Sequence, residues 1–153
     1  MAFDNLNHYR FRSVWTVAAG YDETYEVVRD LAGYPKWWPE VKRVEQIDAD
    51  RAEVTITAFF PYSLNFVMAR EVDDIGAGVL RARMTGDLEG TSSWRVSREG
   101  KGCSLVFEEE VEANKRLLRL LAPIARPAFT LNHAIMMRRG RAGLREHLAR
   151  TIE

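Results

Sequence analysis

The 153 residues predict an α+β domain: one curved antiparallel sheet of about seven strands packed against a long C-terminal helix, with two short helices after the first strand. Three observations carry this prediction. Residues His8–Ala18 alternate in polarity as a half-buried strand does. From Val41 onward six further strand-like segments follow at hairpin spacing, and strands joined by short turns are antiparallel. After Val111–Ala113 the pattern becomes helical and stays so to about Arg150.

In the first strand Tyr9, Phe11, Ser13, Trp15 and Val17 share one side, with Arg10, Arg12 and Thr16 on the other. Gly20 breaks the strand, and Asp22 is the expected N-cap of a helix running to about Leu31 and closing near Gly33. The next segment, Tyr34-Pro35-Lys36-Trp37-Trp38-Pro39, is a short aromatic turn pinned by two prolines. It is expected to plug the sheet near the short helices. The six later strands are expected at about 41–48, 52–60, 65–74, 79–87, 91–98 and 103–113. Turns fall near Asp48–Asp50, Pro61–Ser63, Gly76–Gly78, Glu89–Gly90 and Glu99–Gly102. Alternation assigns one face to Val54, Ile56, Ala58 and Phe60, then Phe66, Met68 and Val72, then Leu80, Ala82 and Met84. Trp94 and Val96, followed by Cys103, Leu105, Phe107 and Val111, continue that face, which should meet the helix.

A single helix from Asn114 to Arg150 would be about 55 Å long, whereas a domain of this size is about 40 Å across. Proline lacks the N–H of the helical ladder and fits best in a first turn. A break is therefore expected at Pro123–Pro127, with the long helix running from about Ala128 to Arg150. Arg138, Arg141 and Arg145 cluster on one side of it, which should face water. The opposite side carries Phe129, Asn132, Met136, Gly140, Gly143 and His147, with His133, Arg139 and Leu144 at its margins. A glycine inside a helix costs about 1 kcal/mol relative to alanine. Gly140 and Gly143 therefore mark either close approach to the sheet or room left for a ligand.

Length fits a single domain over 1–153 with no linker. No apolar run is long enough to span a membrane, and the N-terminus lacks the basic and apolar regions of a secretory signal, so a cytoplasmic protein is expected. Cys103, the one cysteine, excludes an internal disulfide and reads as a strand residue. The three histidines have no metal-ligand spacing, so neither a metal nor a cofactor is expected. Ser92 and Ser93 lack a nucleophile elbow, and Gly76-Ala77-Gly78 does not open a helix as a phosphate loop does. Net charge is zero, yet residues 112–153 carry nine basic against three acidic residues. No aromatic residues are interleaved with the outward arginines, so this surplus is read as a solvated helix face and no nucleic-acid partner is expected.

The element order, together with GYDETYEVVRDLAGYPKWWPEVKRVEQID after the first strand, resembles the START-related polyketide cyclase/dehydrase and lipid-transport superfamily, the helix-grip fold. The matching landmarks are the helix ending near an aromatic-Pro-x-Trp turn, the strand bearing Trp94 before a Gly-rich turn, and the long terminal helix. They cover nearly the whole chain. The resemblance implies a cavity between sheet and helix in which a small hydrophobic molecule such as a lipid, polyketide or quinone binds. Some members of that superfamily are aromatases, cyclases or dehydratases, and others only carry or sense.

In such a cavity the inward faces supply a ligand-facing set: Trp15, Phe60, Phe66, Met68, Arg70, Met84, Trp94, Phe107, Glu109, Phe129, Asn132, His133, Met136 and Arg139. Flat aromatic surfaces suit a planar apolar ligand, although core packing accounts for many of them. Arg70 and Glu109 fall in phase with the apolar faces of their strands, and a buried charge needs a partner. Either Arg70 or Arg139 pairs with Glu109 as a polar anchor, or a bulge shifts the register and takes one of them to the rim. His133 and Asn132 are the helix candidates for acid–base or hydrogen-bonding roles. Three functions stay open: ligand binding, polyketide cyclisation or dehydration, and a protein-interaction module using the basic helix and the aromatic hairpin tip at Phe60 and Tyr62.

Overall fold

The computed structural model describes residues 8–59, 62–114 and 122–152, with residues 58, 59, 62, 122–125, 129, 151 and 152 described by backbone alone. Its elements are β1 (His8–Val17), α1 (Tyr21–Arg29), a 3-10 helix (Leu31–Lys36), β2 (Val41–Gln46), β3 (Arg51–Phe59), β4 (Tyr62–Asp74), β5 (Val79–Gly86), β6 (Leu88–Glu99), β7 (Gly102–Ala113) and α2 (Ala122–Ile152). The strands form one antiparallel sheet in the order β1-β7-β6-β5-β4-β3-β2. Strands β2 to β7 are a simple meander, and β1 closes it by pairing with β7, His8 opposite Glu112 through Val17 opposite Cys103. Turn-linked neighbours pair because short connections make that the least costly closure in chain entropy.

The helix after β1 begins two residues earlier than expected, at Tyr21. Gly20, in extended conformation, precedes it without any side-chain cap, and Asp22 sits in the first turn, where its charge suits the positive end of the helix dipole. The helix also stops at Arg29, and the chain tightens into the 3-10 helix that carries Pro35. Thr24, Tyr25 and Val28 are its buried face. The Tyr25 hydroxyl donates to Asp73 Oδ1 at 2.6 Å, fastening α1 to the end of β4.

The terminal helix corrects the expected break. It runs through Pro127 without interruption, with Pro123 in its first turn, where the missing N–H has no intrahelical acceptor to lose. Pro127 forgoes one ladder bond only. Its described span of 31 residues is about 46 Å long. Its buried stripe is His133, Met136, Met137, Gly140, Leu144 and Leu148, turned toward what had been the margin of the expected inner line. Arg138 and Arg145 are exposed and Arg141 is half-buried. Two arginines tie this helix to β1: Arg145 Nε donates to the Thr16 carbonyl at 2.8 Å, and Arg126 donates to the His8 carbonyl at 2.9 Å while lying over the Tyr9 ring.

Gly140 and Gly143 settle as close-approach residues. A Cβ at Gly140 would lie 2.5 Å from Trp38 Cε2 and 2.9 Å from Trp15 Cη2; one at Gly143 would lie 1.7 Å from the Trp37 carbonyl oxygen. The helix needs these two positions bare because the aromatic turn presses into it. In that space the Trp38 indole N–H donates to the Met136 carbonyl at 2.9 Å.

Candidate ligand cavity

Between the sheet and the N-terminal half of α2 lies a cavity of about 560 Å³. Its middle is apolar: Phe66 and Met68 from β4, Met84 from β5, Trp94 from β6, Phe107 from β7 and Met136 from α2 line it, joined by Val54, Ile56 and Leu80. Period-two alternation brings these side chains to one face, since residues i, i+2 and i+4 of a strand point the same way. Tyr34 and Trp38 complete the wall. The Trp94 indole donates to the Tyr34 hydroxyl at 3.1 Å, and that hydroxyl in turn donates to the Val28 carbonyl. The aromatic wall thus keeps its own polar atoms satisfied and offers the cavity mainly ring surface.

One end of the cavity is polar and reaches solvent. Arg29 and Asp30 at the end of α1, Asp50 in the β2–β3 turn, Arg51 at the start of β3, and Arg70 and Arg81 rim it. A β-bulge between Arg70 and Val72 shifts the register there, and the Arg70 side chain emerges 31% exposed, 3.6 Å from Asp73. Asp73 also accepts from Arg29 Nε at 2.6 Å. Burial pushes the Asp73 carboxyl up, but the hydrogen bonds from Tyr25 and Arg29 and the charges of Arg29 and Arg70 outweigh it and hold the group below its ordinary range. This ion-paired corner therefore stays charged.

The other polar patch is buried. Glu109 of β7 lies opposite Phe11 on one neighbouring strand and Ser92 on the other, and its side chain is 10% exposed. His133 of α2 points at it, Nε2 lying 3.7 Å from Glu109 Oε1. Phe11 stacks on the imidazole with centroids 3.6 Å apart and planes within 8°, and Phe107 approaches it at 6.4 Å. Burial raises the Glu109 carboxyl to about 7 and lowers the His133 imidazole to about 4. Ser92 and Asn132 line the same part of the cavity.

Ten of the fourteen expected ligand-facing residues therefore stand on the cavity wall: Phe66, Met68, Arg70, Met84, Trp94, Phe107, Glu109, Asn132, His133 and Met136. Trp15 does not. It is buried behind the wall, edge-on to Trp94 and Trp38 at 4.9 and 5.5 Å. Arg139 lies outside, its Nε 3.2 Å from Glu40, because the true phase of α2 turns that side chain toward the aromatic turn. Neither Arg139 nor Arg70 pairs with Glu109, whose neighbour is His133. The side chains of Phe60 and Phe129, and of Tyr62 at the hairpin tip, lie outside the described residues. Tyr34 and Trp38 escaped the sequence reading as wall residues, since their turn has no periodicity to assign them a face; an aromatic pair flanked by prolines beside helix glycines was the available signal. Among the described residues no group of three or more His, Cys, Asp or Glu could hold a metal, and no helix is long and apolar enough to cross a membrane.

A sheet gripping a long helix around an apolar cavity defines the helix-grip class of α+β proteins. The family model described as polyketide cyclase/dehydrase and lipid transport matches residues 8–153, and the chain belongs to that START-related family. Solved structures repeat the fold at low identity. A protein from Thermus thermophilus is similar at a TM-score of 0.82 and 16% identity, covering 95% of this chain and 100% of that one. The Zhui aromatase/cyclase of a Streptomyces species is similar at 0.72 and 15% identity, with 95% and 96% covered. A START superfamily protein from Mycobacterium smegmatis is similar at 0.72 and 16% identity, with 93% and 98% covered. No curated protein is matched by the sequence.

Proposed function

We propose that the protein binds a small hydrophobic molecule of lipid, polyketide or quinone type in the cavity between the sheet and α2. The observation that carries this reading is the cavity itself: about 560 Å³, apolar and aromatic in its middle, polar at two ends. That volume falls within the roughly 300–1,000 Å³ typical of small-molecule sites, and a few placed polar groups in an apolar pocket are what orient such ligands. On this reading the 153 residues form one ligand-binding domain. Native mass spectrometry of the freshly purified protein tests it. A bound small molecule, or saturable quenching of tryptophan fluorescence by an apolar probe, is the expected result; the absence of both would count against this reading and favour a protein-interaction role.

A second reading, polyketide cyclisation or dehydration, has its own support. Glu109 and His133 share the cavity wall, and burial moves both away from their ordinary proton affinities, as in sites built for acid–base work. A shaped pocket can also promote ring closure chiefly by holding a reactive chain in a folded conformation. Turnover of a polyketide substrate separates this reading from simple binding.

A further inference from the structure

The geometry points to a hydroxyl-recognising subsite at the buried end of the cavity, where the oxygen of a ligand's hydroxyl bridges Glu109 Oε1 and His133 Nε2. The proposal rests on the ligand-binding reading above and names the polar group that such a ligand carries.

Among the described residues His133 Nε2 is fully buried and has no hydrogen-bond partner. A buried polar nitrogen left unsatisfied is costly, so such a group calls for an occupant. The carboxyl that faces it is 3.7 Å away, beyond hydrogen-bond reach. An oxygen seated beside the line that joins them, about 2.8 Å from each, would hydrogen-bond to both. Phe11 stacks on the imidazole and holds its plane, and the backbone of Glu109 is held in the sheet between Phe11 and Ser92.

The proton arithmetic selects a hydroxyl. An alcohol or phenol donates one hydrogen bond while accepting others. It therefore satisfies the pair whether the carboxylic acid donates and the imidazole nitrogen accepts, or the carboxylate accepts and Nε2–H donates. A ketone fits only where both groups donate, and an ether oxygen has the same restriction with a methyl group to place as well. The body of the ligand then extends along Met84, Trp94, Phe107 and Met136. The chemical class is an apolar, ring-bearing molecule with a free hydroxyl at its inner end.

The test compares three probes of similar size on the intact protein, 2-naphthol, 2-methoxynaphthalene and 2-tetralone, by calorimetry or tryptophan quenching. A site built around a hydroxyl discriminates strongly against analogues lacking it, so 2-naphthol should bind about tenfold or more tightly than either analogue. Glu109→Leu and His133→Phe, which keep bulk and remove the polar atoms, should shrink that preference to below about threefold. Equal affinities for all three probes in the wild type would overturn the subsite, as when a water holds the gap, and leave hydrophobic binding standing. Preference for 2-tetralone would replace the hydroxyl with a carbonyl. Binding of none of the probes would remove the ligand-binding reading and the subsite with it. The wild-type comparison decides even if a variant fails to fold.

Discussion

A carboxyl and an imidazole 3.7 Å apart could form an ion pair, which would lower the first group's pKa and raise the second's. At Glu109 and His133 the shifts run the other way, because burial penalises both charged forms and no hydrogen bond compensates. The consequences for stability oppose each other. Folded Glu109 keeps its proton up to about 7, against 4.5 ordinarily, so its contribution is fully present below about pH 4.5 and is lost as pH rises through 7. Folded His133 refuses a proton down to about 4, against 6.5 ordinarily, so its contribution is present above pH 6.5 and is lost as pH falls through 4. Each amounts to about 3 kcal/mol at one pKa unit per 1.36 kcal/mol, and between about pH 4.5 and 6.5 the two slopes offset. Removing one group exposes the other's slope. Relative to wild type, Glu109→Gln should gain stability as pH rises through that window, and His133→Phe should lose it. Urea unfolding at fixed ionic strength from pH 4 to 8 measures both; two variants parallel to wild type would show that the pair is solvated. The residues themselves were legible in the sequence, Glu109 by its alternation and His133 at the helix margin. Their partnership was not, because it depends on the rotation of α2, whereas charge alone points to an arginine as the partner of a buried carboxylate.

At the scale of elements, α2 shows what sets a helix's phase. Hydrophobic periodicity places the helix and its approximate inner side, yet the actual stripe includes Met137, Leu144 and Leu148, displaced from the line drawn opposite the arginines. The displacement has a local cause. Trp37 and Trp38 occupy the notch left by Gly140 and Gly143, and the Trp38 indole is bonded to the Met136 carbonyl, so the turn fixes the rotation. Alternation and hairpin spacing recover the strands because each strand's phase depends on its immediate neighbours, whereas the helix answers to a turn some hundred residues earlier in the chain. The same contact makes a prediction. Alanine normally stabilises a helix by about 1 kcal/mol over glycine, but Gly143→Ala would drive a methyl into the Trp37 carbonyl, a backbone atom that cannot swing aside. A net loss of about 3 kcal/mol is expected, at the upper end of ordinary overpacking costs. Gly140→Ala meets two indole side chains instead and should lose less. Denaturant unfolding of the two variants checks the order; a gain at Gly143 would mean that helix and turn are not seated together.

For the molecule as a whole, the question is why a chain rich in aromatics leaves a void at all. Of its four tryptophans, Trp15, Trp37 and Trp38 pack with Tyr34 at the junction of turn, helix and β1, and Trp94 spans that cluster and the cavity wall. The cluster props α2 away from the middle strands, where the inward side chains include small ones, Ala52 and Ala82. The sheet face was readable from alternation, but the volume beneath it was not, since it depends on how far the cluster lifts the helix. Substitution into the two regions should give opposite results. Ala82→Phe, on β5 between Arg70 and Ser92, projects a ring into empty space and should leave unfolding stability unchanged or raised, while weakening binding of 2-naphthol or a similar apolar probe by about tenfold or more. Val96→Phe on β6 enters the buried core away from the cavity wall and should cost about 1–3 kcal/mol without competing for the cavity. Thermal or urea unfolding together with a fluorescence titration of each variant supplies both readouts. A loss of stability at Ala82 comparable to that at Val96 would show that the space is filled in solution, and the ligand-binding reading would fall with it.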